Sequence, residues 1–182
     1  MADKPQTAYA LTGLLMVGLT FLAACSKGPD QPPPRTINPF VMPDFELPTP
    51  DGDKLSSSLA KGQITLINFW TTWSPASIRQ ANELLALRER YKDSGIQVIG
   101  IAVSADESSE DIKSFIAHEK LDYPIGIADR SFHHQFRGID AIPSTFVVDP
   151  DGMIVNRYTG VALPEELDTE VRYLLARQQE KP

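Results

Sequence analysis

One stretch limits what this chain can become. The run Ile64-Thr65-Leu66-Ile67-Asn68-Phe69-Trp70 is nearly continuous apolar sequence, rich in β-branched and aromatic side chains. That pattern predicts a strand buried on both faces. Lys61-Gly62 breaks the chain before it. Beyond Thr71-Thr72-Trp73 the pattern changes. Ser74 is a good helix N-cap and Pro75 suits the first helical position. Ala81, Leu84, Leu85, Leu87 and Tyr91 then recur at spacings of three and four, which makes one apolar helix face. Ser94-Gly95 ends it. A strand, a tight connection and a helix with an exposed first turn form the centre of the chain.

The remaining elements follow in order. Phe45-Glu46-Leu47 alternates, Pro50-Asp51-Gly52-Asp53 is turn chemistry, and Lys54-Leu55 returns, which predicts a small β-hairpin. Gln97 to Val103 reads as a second buried strand, and 107–119 as a helix with Ile112, Phe115 and Ile116 inward. Tyr123 to Ile127 is a short extended piece, and 131–137 a short helix. Residues 144–149 form a strand, Asp149-Pro150-Asp151-Gly152 a turn, and 153–158 the return strand. Pro164 to Arg177 is a last helix with Leu167, Val171, Leu174 and Leu175 on its core face. Strands alternating with helices, then a hairpin and a helix, predict an α/β protein: a mixed central sheet with helices on both faces.

The chain carries a formal charge of -7 with pI about 4.9, which gives no electrostatic support to a nucleic-acid partner. Its one cysteine, Cys25, excludes an intramolecular disulfide and a cysteine-rich metal site. His118, His133 and His134 form no spaced ligand set, so no metal and no cofactor is expected. Leu11 to Ala24 is an apolar run of signal-peptide length, short for a membrane span. Leu22-Ala23-Ala24-Cys25 resembles the bacterial lipobox, which implies cleavage before Cys25 and acylation of its sulfur. The competing reading is an uncleaved membrane helix. The sole cysteine, at the one position a lipobox needs, favours the lipoprotein. Residues 1–24 are then a signal peptide and 25–43 a lipidated, proline-rich tether. The domain itself is assigned to 44–178. The tether could reach roughly 55 Å at about 3.1 Å per residue.

The motif Asn68-Phe69-Trp70-Thr71-Thr72-Trp73-Ser74-Pro75-Ala76-Ser77 is similar to N-F-W-A-T-W-C-P-P-C. The stretch from Gly138 to Gly152, with Ile142-Pro143-Ser144-Thr145-Phe146, is similar to G-V-x-G-x-P-T-T-F-x-I-D-x-D-G. With Asp51-Gly52 and an insertion at about 105–130, these resemble the thioredoxin fold in its TlpA/ResA-like branch (redoxin domains), over most of 45–177. The resemblance implies a leading hairpin, a cis Pro143 facing the Ser74–Ser77 helix end, and a backbone at Ile142 that pairs with an extended partner peptide. It also implies an extracytoplasmic domain of the bacterial envelope, facing the periplasm or the exterior.

The departures fall on the reactive positions. Ser74 and Ser77 stand at the family's two cysteine positions, and Gln80 where the family often has an acid. Disulfide exchange needs a thiolate and a sulfur leaving group, and a hydroxyl supplies neither. Glutamine does not accept a proton as a carboxylate does. No catalytic residue is therefore assigned. Ser74 reads as an N-cap. A serine hydrolase needs a base within reach of the hydroxyl, and His133 and His134 read as solvated or packing residues. Trp70 reads as core. Trp73, beside the helix start, reads either as a docking residue or as a remnant of ancestry. Asp106-Glu107 and Glu110-Asp111 read as solvated helix starts. Two functions remain. One is a lipid-anchored protein that binds an envelope protein or peptide, a cysteine-containing client included, through Trp73, Ser74, Pro75, Ile142 and Pro143. The other is a TlpA/ResA-type thiol–disulfide oxidoreductase, of cytochrome maturation or redox homeostasis, in a cysteine-to-serine form.

Overall fold

The computed structural model describes residues 31–103 and 107–180, so the signal segment and Cys25 lie outside the described residues. Eight strands are present among them: β1 (Phe40–Val41), β2 (Glu46–Pro48), β3 (Lys54–Ser56), β4 (Thr65–Trp70), β5 (Gln97–Val103), β6 (Ile125–Ala128), β7 (Ser144–Val148) and β8 (Met153–Thr159). The helices are α1 (Pro75–Arg90), α2 (Ser109–Glu119) and α3 (Pro164–Gln179). None of them is long and apolar enough to cross a membrane. The main sheet runs β1-β8-β7-β4-β5-β6, and β2 pairs with β3 as a separate hairpin. β4 is parallel to β5 and antiparallel to β7, so the sheet is mixed.

The buried central strand of the sequence reading is β4, with all six residues buried. Its side chains divide between two cores. Leu66 and Trp70 face α1, α2 and α3, where they meet Leu84, Ile112 and Val171. Ile67 and Phe69 face the other way. That second face is not covered by α-helices, as the expected architecture had it. The β2–β3 hairpin and the 3-10 turn Phe132–Phe136 cover it instead. The reason is aromatic packing: Phe132 stands edge-on to Phe45 at 5.5 Å, and Phe136 edge-on to Phe69 at 4.9 Å. Rings of that size fill the layer from short elements.

Gly100 on β5 marks the tightest place on the helical face. A Cβ there would stand 2.9 Å from Trp70 Nε1 and 3.0 Å from both Ile125 Cγ1 and Tyr123 Cε2. Gly100→Ala is expected to cost about 1–3 kcal/mol through overpacking, read as a lower denaturant midpoint. An unchanged midpoint would show that the Trp70 ring can move aside.

The tether differs from its expectation. Residues 33–42 do not stand clear of the domain. Pro33 is buried, β1 pairs with β8 (Phe40 with Ile154, Val41 with Met153), and Arg35 Nη1 donates to the Val155 carbonyl at 2.6 Å. The physical reason is Asn156, fully buried on β8. Its Oδ1 accepts from the Thr36 N–H at 3.0 Å and from Thr36 Oγ1 at 2.9 Å, and its Nδ2 donates to the Pro34 carbonyl at 3.1 Å. A polyproline segment has no internal hydrogen bonds, so its carbonyls are free to be used this way.

Asn156 Nδ2 also donates to Glu170 Oε2 at 2.7 Å, and the Tyr158 hydroxyl donates to the same oxygen at 3.1 Å. Burial pushes the Glu170 carboxyl above its usual value, against these two donors and the charge of Arg35. A carboxyl whose folded pKa exceeds its unfolded one weakens the fold as pH rises through that interval. Glu170→Gln is therefore expected to raise the denaturant midpoint more at about pH 8 than at about pH 5. Equal changes at both pH values would count against a buried, proton-favouring Glu170.

Candidate functional site

The site forms where β4 ends and α1 begins. Ser74 is the N-cap, with Pro75 in the first turn, and Ser74 Oγ accepts the Ser77 N–H at 3.3 Å. Ser77 Oγ in turn accepts the Thr71 N–H at 3.3 Å. The Ser74 hydroxyl thus satisfies a backbone donor that the helix start leaves open, and the Ser77 hydroxyl one in the connection between β4 and α1. Ser77 is 1% exposed and Ser74 7%. Among the described residues no imidazole bonds to either hydroxyl.

β7 brings in the second half. The Ile142–Pro143 bond is cis. Ser144 pairs with Phe69 on one side and Thr159 on the other. Asn68, fully buried on β4, donates from Nδ2 to Thr145 Oγ1 at 3.1 Å, and Ser144 Oγ donates to the Ala141 carbonyl at 2.6 Å. The Pro143 carbonyl accepts the Gly160 N–H at 2.8 Å. The loop before β7 is therefore tied down on both sides.

The sequence reading put Ser74 and Pro143 on a binding surface, but both are buried. The Ser74 hydroxyl turns into the first turn of α1, and Pro143 sits behind Ile142. What solvent meets is Trp73, 74% exposed, with Pro75 and the half-buried Ile142. Trp73 and Ile142 line a groove of about 580 Å³, together with Thr71, Val103, Glu107 and His133. Four of these residues, Thr71, Val103, Glu107 and His133, were not assigned to the site from sequence. Glu107 is not a solvated helix start: Ser108 caps α2 with Asp111 in a capping box, and Glu107, just outside, is half-buried and accepts a hydrogen bond from the Thr72 hydroxyl. Burial pushes its carboxyl up, opposed by that neighbour. His133 reaches the groove because Phe132 and Phe136 anchor their turn from the core side. The phenylalanine pair four residues apart was the available signal.

Gln80 is fully buried in α1. Its Oε1 accepts the Ala162 N–H at 2.7 Å, while Nε2 has no hydrogen-bond partner. The side chain fastens the loop before α3 to the site helix. Among the described residues no group of three or more His, Cys, Asp or Glu is gathered as metal ligands.

Three comparisons bear on this arrangement. The Redoxin family model matches residues 39–174. Thiol-disulfide oxidoreductase ResA of Bacillus thuringiensis (strain Al Hakam) is 28% identical over 126 residues, covering 69% of this chain and 72% of that protein. ResA of Bacillus subtilis (strain 168) is 25% identical over 163 residues, covering 86% and 87%. Among solved structures, a thiol:disulfide interchange protein of the thioredoxin family from Chlorobium tepidum TLS superposes with a TM-score of 0.67 at 26% identity, over 76% of this chain and 98% of that one. In sequence as in architecture, the chain belongs to the Redoxin family, as a thioredoxin-fold protein related to the thiol–disulfide oxidoreductases.

Proposed function

We propose that this protein is a lipid-anchored member of the bacterial envelope that binds polypeptide in the Trp73–Ile142 groove and does not exchange disulfides. The observation that carries the reading is the state of the two serines. Each hydroxyl is engaged with a backbone N–H, and no sulfur stands at 74 or 77. The helix start and the loop before β7 keep their shape while the reacting atoms are gone. What remains open is an exposed tryptophan over a groove in which the apolar Val103, Ile139 and Ile142 stand beside Arg130 and two carboxylates, Glu107 and Asp140. Such an aromatic is the residue type that dominates polypeptide interfaces.

The test is calorimetric titration of the soluble domain with an unfolded model client, carboxymethylated α-lactalbumin. Trp73→Ala is expected to weaken binding about tenfold, in line with about 1.4 kcal/mol for an interface anchor. Equal affinity in both proteins would remove the groove from the reading. The anchor has its own test: labelled palmitate is incorporated by the whole chain and lost in Cys25→Ala. Unchanged labelling would reject it.

A second reading rests on the relatives' names. It makes the chain a cysteine-to-serine form of a thiol–disulfide oxidoreductase, serving cytochrome maturation or redox homeostasis. Insulin reduction by the protein with serine at 74 and 77 would sink the first reading.

A further inference from the structure

The docked segment 33–41 has a direction. It runs antiparallel to β8, so its N-terminal end lies toward Tyr158 and Thr159, and Pro33 and Pro34 line a depression with Val161 and Ala162. That is the site end of the sheet. Thr159 pairs with Ser144, the Gly160 N–H bonds the Pro143 carbonyl, and the Ala162 N–H bonds Gln80 of the site helix. The turn Asp149–Gly152, which precedes β8, is at the opposite end, about 20 Å away at the rise of a seven-residue strand.

Seven residues lie between Cys25 and the buried Pro33. Fully extended, those eight steps of chain span roughly 29 Å at most. An acyl group on Cys25 therefore keeps the site end within that distance of the bilayer, while the far end is free to point away. Two exposed large apolar side chains, Trp73 and Leu163, lie at this same end. The exposed Glu165 and Glu166 beside Leu163 disfavour direct burial among anionic headgroups.

We propose that residues 33–41 orient the groove toward the membrane, and that its occupant is polypeptide lying at the bilayer surface, not polypeptide free in the compartment. This rests on the anchored, polypeptide-binding reading above. The sole native cysteine is used by the lipid, so an introduced cysteine can be labelled uniquely. Arg79→Cys marks the site end of α1 and Asp93→Cys the region past its far end. Fourteen residues separate the two, about 21 Å if helical throughout.

The acylated full chain is placed in phosphatidylcholine vesicles carrying headgroup acceptors. Energy transfer is expected to be several-fold stronger from the label at 79 than from that at 93, and to converge when a long Gly-Ser segment is inserted between Gln31 and Pro32. Acyl-anchored, quencher-labelled α-lactalbumin on the same vesicles is expected to quench the label at 79 and spare that at 93. Equal or reversed transfer overturns the orientation. Quenching of Trp73 by brominated lipid overturns polypeptide as the occupant in favour of the bilayer. Failure to float with vesicles overturns the anchor and this inference with it, while client binding measured in solution stands or falls separately.

Discussion

The double variant Ser74→Cys/Ser77→Cys is expected to reduce insulin disulfides, while the chain with both serines shows no turnover. The frame for this chemistry is intact. Position 74 caps a sixteen-residue helix, where unsatisfied N–H groups and the helix dipole favour a thiolate. Positions 74 and 77 are one turn apart and already linked, Ser74 Oγ to the Ser77 N–H at 3.3 Å. A thiol at 77 is a weaker acceptor than the hydroxyl that now holds the Thr71 N–H, so a modest stability loss should accompany the gain. Gln80→Glu in the same background is expected to raise turnover further. A carboxylate keeps an acceptor for the Ala162 N–H, removes the unpartnered Nε2, and supplies a proton acceptor three residues from position 77. The assay is insulin precipitation under a thiol reductant, with mass spectrometry confirming the 74–77 disulfide. If that disulfide forms and no turnover follows, the frame is not competent, and more than sulfur has been lost.

Asn156→Ala is the substitution expected to harm stability most. Its side chain is fully buried and serves five residues at once: Oδ1 accepts from Thr36 and the Arg157 N–H, and Nδ2 donates to the Pro34 carbonyl, the Glu170 carboxyl and the Tyr158 hydroxyl. Truncation leaves the Thr36 N–H and the carboxylate each short of a partner. Roughly 3 kcal/mol follows, at the cost of stranding buried polar groups. The N-terminal segment should also come away from β8, so limited trypsin cleavage after Arg35 should quicken under native conditions. Asn156→Asp separates the two effects. It keeps the acceptor for Thr36 but sets a second carboxylate against Glu170, so it should be as destabilising as alanine or more so. A wild-type urea midpoint in either variant would mean that the network is not what holds the segment.

How much of this was legible beforehand differs by element. The six residues of β4, the cap at Ser74 and the apolar face of α1 follow from patterns carried by neighbours in sequence, and they stand where local chemistry puts them. The covering of the second sheet face was less legible. Phe132 and Phe136 lie in a five-residue turn, too short for periodicity to register, and their value emerges only when Phe45, Phe69 and Phe146 arrive from distant segments. Glu107 looked like one more acid at a helix start. Its half-buried place in the groove depends on Thr72, thirty-five residues earlier. Prolines in 26–43 argued for a free tether, and composition has no means of showing that Asn156 would bind their backbone.

Sequence alone determined the thioredoxin-type order of elements and the absence of a dithiol, because both depend on residue type and near spacing. Tertiary structure decided which side chains meet. Strict alternation from Ile154 would place Asn156 on the same face, with the second core. A bulge at Val155, where Val147 opposes Asn156 and Val148 opposes Ile154, turns Asn156 to the helical face beside Glu170. One extra residue in a ladder reverses a side chain's face, and no local pattern announces it. The bonds from Asn156 to Thr36 and to the Pro34 carbonyl follow from that reversal, while the direction of the docked segment is set by the antiparallel pairing of β1 with β8.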